Sequence, residues 1–173
     1  MNPTTQVSID VEQLPVSLKR FLQGEWTWAQ VEGMTEAQAR EIAELGCQLA
    51  ASGRLREAQT LFEGLVAGNP KDAAAQAALG TVLQRQGNTD LAKRAYEEAL
   101  KHDPGQVVAL CNRGELRLYA RDAGGIADLM EAMKSDPQEG TASGKRARAL
   151  LEVVNAWHAD GRIRADATAH GTM

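Results

Sequence analysis

The sequence predicts an all-α solenoid of three helix pairs, preceded by a helical segment and closed by a capping helix. Three observations carry this. The composition favours Ala, Leu, Glu, Gln and Arg, with aromatics at only 4%, which is the vocabulary of helices. No Val/Ile/Thr alternation of strand length appears anywhere in the 173 residues. The chain also repeats itself at a fixed interval of 34 residues.

The repeat is read residue by residue. Gly46 falls on Gly80 and then on Gly114, Gly53 on Gly87, and Ala58 on Ala92. Phe62 falls on Tyr96, Leu65 on Ala99, and Pro70 on Pro104. A period of 34 is that of the tetratricopeptide repeat, and Leu79-Gly80, Ala92-x-x-x-Tyr96, Ala99 and Pro104 fit its local pattern. The small residues belong where two helix axes approach most tightly, and Phe62 or Tyr96 fills the space beside that contact.

Taken in order, residues 1–34 form an N-terminal helical segment. Val11, Leu14, Leu18, Phe21 and Leu22 lie on one helical face, offset at Pro15, and Trp26 and Trp28 follow. The segment either folds onto the open end of the solenoid or pairs with a second subunit, with Leu18, Phe21, Leu22, Trp26 and Trp28 as candidate dimer contacts. The repeats span 35–70, 71–104 and 105–137. Thr35-x-x-Gln38 is a capping box that opens the first helix of the first repeat. Gly53 and Gly87 end the first helix of their pairs as C′ glycines, and Asn88 or Thr89 caps the next helix. Pro70 and Pro104 stop the second helices.

The third repeat departs from the pattern. Gly114 keeps register, but Arg113 and Arg117 stand where apolar residues are expected, and Pro137 comes 33 residues after Pro104. One residue deleted in the inter-helix turn puts Gly125, Leu129 and Ala132 in the places of Ala92, Tyr96 and Ala99. Asp136-Pro137 reads as a cap with a first-turn proline, delayed by Gly140 and Gly144. Residues 138–160 then give a capping helix with Ala147, Leu150, Leu151, Val154 and Trp157 on one face, and 161–173 form a tail without apolar period.

Phe21-Leu22-x-Gly24, then Ser52-Gly53-Arg54-Leu55-x-x-Ala58 and three repeats in a chain of this length, resemble the class II type III secretion chaperones. These are the tetratricopeptide chaperones of translocator proteins (the LcrH/SycD family). The likeness runs from about Phe21 to Pro137. It implies a bacterial cytosolic chaperone that holds a hydrophobic translocator by an extended segment in a concave groove and forms homodimers through N-terminal elements. Two departures stand out. Glu25-Trp26-Thr27 replaces a Gly-rich continuation, and the first repeat lacks the tyrosines typical of the family's groove.

In this architecture the first helix of each pair lines the groove. The candidate rows are Ala43, Cys47, Ala50 and Ala51; Ala74, Ala77, Ala78, Thr81 and Arg85; and Val108, Cys111, Asn112, Glu115 and Tyr119. A surface rich in small apolar side chains admits a peptide backbone closely and offers shallow pockets to its side chains. Arg85 and Tyr119 are the candidates for directional polar contacts. A rival tetratricopeptide class clamps a C-terminal carboxylate with Lys, Asn and Arg. Of the corresponding Ala43, Cys47, Ala78, Val108 and Asn112, only the last fits.

No enzyme emerges, and no cofactor or metal is expected. Cys47 and Cys111 stand far apart without Cys or His at metal spacing. His102 lies in an inter-repeat turn, His158 and His170 near the C-terminus, and Gly124-Gly125 lacks the strand and Lys-Ser/Thr of a phosphate loop. The net charge of −4, with both signs interspersed, gives no nucleic-acid footprint. No window approaches the length of a membrane span and the N-terminus has no secretory pattern, so the cytosol is the expected compartment. The partner is a protein segment, with no nucleic acid or membrane. The runner-up function is a tetratricopeptide scaffold in another bacterial assembly.

Overall fold

A computed structural model describes residues 16, 17, 20 and 25–159. The expectations for Leu18, Phe21 and Leu22, for the helix through Val11 and Leu14, and for the 161–173 tail lie outside these residues. Among the described residues all regular structure is helical. A short α1 (Trp28–Val31) is followed by α2 (Glu36–Ala51), α3 (Leu55–Gly68), α4 (Ala73–Arg85), α5 (Thr89–His102), α6 (Val107–Tyr119), α7 (Gly124–Ser135) and α8 (Ala142–Ala159). Helices α2 and α3, α4 and α5, and α6 and α7 pack as antiparallel pairs, and α8 lies against α6 and α7. The molecule is a tetratricopeptide-repeat solenoid. Its first helices α2, α4, α6 and then α8 neighbour one another and form one face, termed the inner face below.

Local chemistry sets the helix ends. Gln38 N–H donates to Thr35 Oγ1 at 3.2 Å while Thr35 N–H donates to Gln38 Oε1 at 2.9 Å, the reciprocal capping box expected at α2. Asp72 accepts from Ala75 N–H at 3.0 Å to start α4. Asn88 holds the N-cap position of α5 without a side-chain cap bond; its amide donates instead to Gln86 Oε1 at 3.2 Å. At the other end, Gly53 and Gly87 each have φ +83°, and the two-bond closure runs from Gly53 N–H to Ala50 O and from Arg54 N–H to Leu49 O. The third repeat closes in the same way, but Arg121 takes the left-handed position, at φ +58°. The deleted residue therefore falls between Arg121 and Gly125, after the turn has closed.

Close approach across each pair rests on a glycine. A Cβ on Gly46 would come within 2.8 Å of the Phe62 ring, and one on Gly80 within 2.5 Å of Tyr96. A Cβ on Gly114 would meet Leu129 at 3.0 Å, so Leu129 does occupy the place of the two aromatics. The third pair closes tighter still, because a Cβ on Gly125 would lie 2.5 Å from the Gly114 carbonyl. Ala58, Ala92, Ala99 and Ala132 are fully buried beside these contacts. Burying a side chain such as Phe62 or Leu129 contributes about 1.5–3 kcal/mol.

Three apolar clusters follow along the stack, centred on Phe62, on Tyr96, and on Leu129 with Ala147. Leu150, Leu151 and Val154 of α8 face the same way as Ala147, so α8 covers the end of the third repeat. Trp157 is in α8, but its side chain is outside the described residues. One cap differs from expectation. Asp136 does not begin a helix behind a first-turn proline; it ends α7 and accepts from Gly140 N–H, Thr141 N–H and Thr141 Oγ1. Thr141 Oγ1 in turn accepts from Gly144 N–H at 2.9 Å, which makes Thr141 the residue that opens α8.

Two outcomes are expected. Ala92→Leu overpacks the contact beside Tyr96 and destabilises by about 1–3 kcal/mol, measured by chemical denaturation. Arg121→Gly relieves the left-handed residue and stabilises by about 1 kcal/mol, read as a higher denaturation midpoint at unchanged slope.

Candidate functional site

Burial divides the expected groove residues. Cys47, Ala51, Ala74, Arg85 and Tyr119 are exposed, and Ala43, Ala78, Thr81, Val108 and Glu115 are half-buried. Ala50, Ala77, Cys111 and Asn112 are buried. These four correct the sequence reading: Ala77 packs in the Tyr96 cluster, Ala50 in the Phe62 cluster and Cys111 in the Leu129 cluster. A small residue one turn from the groove serves the interface between neighbouring repeats, and periodicity alone does not separate the two roles. Tyr119, 77% exposed, projects from the end of α6.

The exposed Ala74 and the half-buried Ala43 border a hollow. Between α1, α2, α3 and the start of α4 lies a cavity of about 460 Å³, whose apolar lining includes Met34, Ala39, Ala43, Phe62, Leu65 and Ala74 and whose polar lining includes Gln30, Glu36, Arg40, Asn69 and Asp72. That volume is within the range of about 300–1,000 Å³ typical of binding clefts. Its floor is the Phe62 side chain, and its rim is Ala43 and Ala74 of adjacent first helices. A larger hollow of about 700 Å³ beside Arg54, Glu57, Gln86 and Asn88 is polar and borders the inter-helix turns instead.

Farther along the inner face the surface turns polar. Arg85 donates from Nη1 to the Ala50 carbonyl at 2.7 Å, so this expected peptide contact is engaged in tying α4 to the end of α2. Asn112 donates to Thr81 Oγ1 and to Tyr96 Oη, both at 3.0 Å, and Tyr96 Oη donates to Gln84 Oε1 at 2.7 Å. Arg146 of α8 completes the chain, donating to Asn112 Oδ1 and lying 3.3 Å from Glu115. Burial pushes the Tyr96 hydroxyl up from 10.0 to about 12, and burial likewise raises the Cys111 thiol, which leaves it a poor nucleophile.

Sequence reading missed two of these arrangements. Arg113 and Arg117, flagged as misplaced, converge on Asp128: Arg113 donates to both its carboxylate oxygens at 2.9 and 2.7 Å and Arg117 adds a third bond at 2.8 Å. A satisfied ion cluster thus replaces apolar packing in the third pair. The two out-of-pattern arginines were the signal. Arg146 went unread beside the apolar face of its helix, although it stands 34 positions after Asn112. Of the candidate dimer contacts, Trp26 is half-buried with the Arg20 guanidinium 5.2 Å above its ring, while the Trp28 side chain is outside the described residues.

Comparison with known proteins adds the following. A tetratricopeptide-repeat family model matches residues 49–113. No curated protein matches the chain by sequence. Solved structures do. A type III secretion complex from Aeromonas hydrophila matches with TM-score 0.69 at 21% identity, over 84% of this chain and 99% of that one. The translocator chaperone SycD of Yersinia enterocolitica matches with TM-score 0.63 at 20% identity, over 73% and 97%. PcrH in complex with the chaperone binding region of PopD matches with TM-score 0.62 at 24% identity, over 73% and 97%; PcrH is from Pseudomonas aeruginosa. At these identities the likeness is one of fold.

The Tyr96 hydroxyl gives a pH test. Its folded value exceeds its unfolded one, so its contribution to stability is fully present below pH 10 and is lost as pH rises toward 12. In a Tyr119→Phe variant, the phenolate absorbance of Tyr96 is expected to rise near pH 12, together with loss of helical signal.

Proposed function

We propose that this chain is a chaperone that binds an extended apolar segment of a partner protein along its inner face, and that it serves translocators of a type III secretion system in the cytoplasm. The observation that carries the reading is the hollow with Phe62 and Leu65 in its lining, beside Ala43 and Ala74, on a solenoid matching nearly the full length of PcrH crystallised with the chaperone binding region of PopD. SycD, likewise similar, has been crystallised in complex with a peptide of the translocator YopD. Small side chains on adjacent first helices let an extended backbone approach closely, and the hollow accepts apolar side chains from it. Ala43, Cys47, Ala74, Ala78, Thr81, Val108 and Tyr119 form the contact surface in this reading. Pairing of two copies through the N-terminal segment, around Trp26, is the accompanying proposal for oligomeric state. Among the described residues no helix is long and apolar enough to cross a membrane.

Co-expression tests the proposal. The chain should keep an aggregation-prone, membrane-active translocator soluble and copurify with it. Ala74→Glu should abolish capture while circular dichroism and melting stay near wild type, because Ala74 is exposed, whereas Ala78→Glu should weaken capture and also lower the melting point, because Ala78 packs against the Phe62 cluster. Ala77→Glu should instead unfold the protein, since it places a charge in the Tyr96 cluster. Undiminished capture by a folded Ala74→Glu variant would sink the proposed location of the site.

A further inference from the structure

This inference rests on the function just proposed and concerns what the far end of the same face recognises. Both amide N–H groups of Asn112 are spent, on Thr81 Oγ1 and Tyr96 Oη, and its Oδ1 accepts from Arg146 Nη2. The same Nη2 lies 3.3 Å from Glu115 Oε2. Glu115 stands 34 positions after Thr81, and Arg146 stands 34 after Asn112. The Arg146–Glu115 pair therefore repeats the Thr81–Asn112 contact one helix farther along the inner face.

A guanidinium carries five N–H donors in a rigid fork. The contacts to Asn112 and Glu115 both engage Nη2, and the side chain remains 46% exposed. With Nη2 held by two acceptors and the guanidinium also against the buried Cys111 thiol, the fork is fixed with N–H donors to spare for an incoming acceptor, and much of the entropy cost of ordering a long side chain is already met in the free protein. We infer that Arg146 is a binding residue that receives a main-chain carbonyl of the bound segment.

Charge selects that acceptor. Glu115 already balances the guanidinium, so a carboxylate arriving at Arg146 would meet repulsion from Glu115 at nearly the same distance. A neutral carbonyl gains the charge-assisted hydrogen bond without that penalty. The face is then polarised. The hollow at Ala43 and Ala74 takes apolar side chains at one end and Arg146 takes the backbone at the other, so the segment is held in one direction.

The test is fluorescence anisotropy on the full chain with labelled peptides of YopD and of the chaperone binding regions of PopD and PopB. If none of the three binds, the titration uses a segment of a translocator captured in the co-expression test, and capture of no translocator there overturns the chaperone reading itself. With a peptide that binds, Arg146→Ala is expected to weaken affinity about tenfold, and Arg146→Lys to recover part of the loss. Glu115→Gln should change affinity less than about twofold, and the Kd should depend little on salt, as fits a neutral acceptor. An ester in place of the contacted peptide amide weakens the carbonyl as an acceptor. It should cost affinity in the wild type but not in Arg146→Ala, and Arg146→Lys serves in the same cycle if Arg146→Ala does not fold. Unchanged affinity in a folded Arg146→Ala, or additivity at every ester position, overturns the inference. Tighter binding by Glu115→Gln with steep salt dependence identifies a carboxylate instead and overturns it equally.

Discussion

A glycine that lets a large side chain lie across its helix is the contact on which the fold depends. Helices of 12 to 18 residues are marginal in water on their own. Gly46 under Phe62, Gly80 under Tyr96 and Gly114 under Leu129 turn them into close pairs, and each pair then offers its neighbour a surface. The spacing of those contacts gives the chain its period. Because each repeat touches only the next, every interface has to be satisfied locally. The third pair shows how far that rule stretches: Leu129 and Gly125 close the helices tighter, while Asp128 pairs with two arginines that would otherwise be misplaced and Asp122 supplies the second negative charge beside Arg117.

Polar bonds carry order from one repeat to the next. Arg85 holds the end of α2, Asn112 joins α4 to α6, and Arg146 joins α6 to α8. Each crosses between neighbouring first helices, which are the elements forming the inner face. A face tied in this way loses little further freedom when a flexible segment lies on it, and that saving appears as affinity. Structure and proposed function thus share the same side chains. The residues that keep the repeats in register also shape what the face can accept.

The helix pairs were legible before any coordinates because their signals are local and periodic. Gly53 and Gly87 marked left-handed turns, Thr35 and Gln38 a capping box, and the one-residue deletion was readable from Pro137 and Leu129. The site was less legible. Ala77 and Ala78 look alike in sequence, yet one is packed behind Tyr96 and the other is half-exposed, since a helix turns 100° between them. Asp136 misled for a related reason: a carboxylate before a proline caps the following chain just as readily whether it starts one helix or ends another.

By itself the sequence determined the period, the pairing of helices and the order of repeats, because these follow from contacts between residues close along the chain. Tertiary structure alone decided which small residues open onto the inner face, how Arg113 and Arg117 find Asp128, and where Arg146 points. Those outcomes depend on the rotation of one helix against another. That rotation is set by packing among side chains from different repeats, which no single stretch of sequence contains.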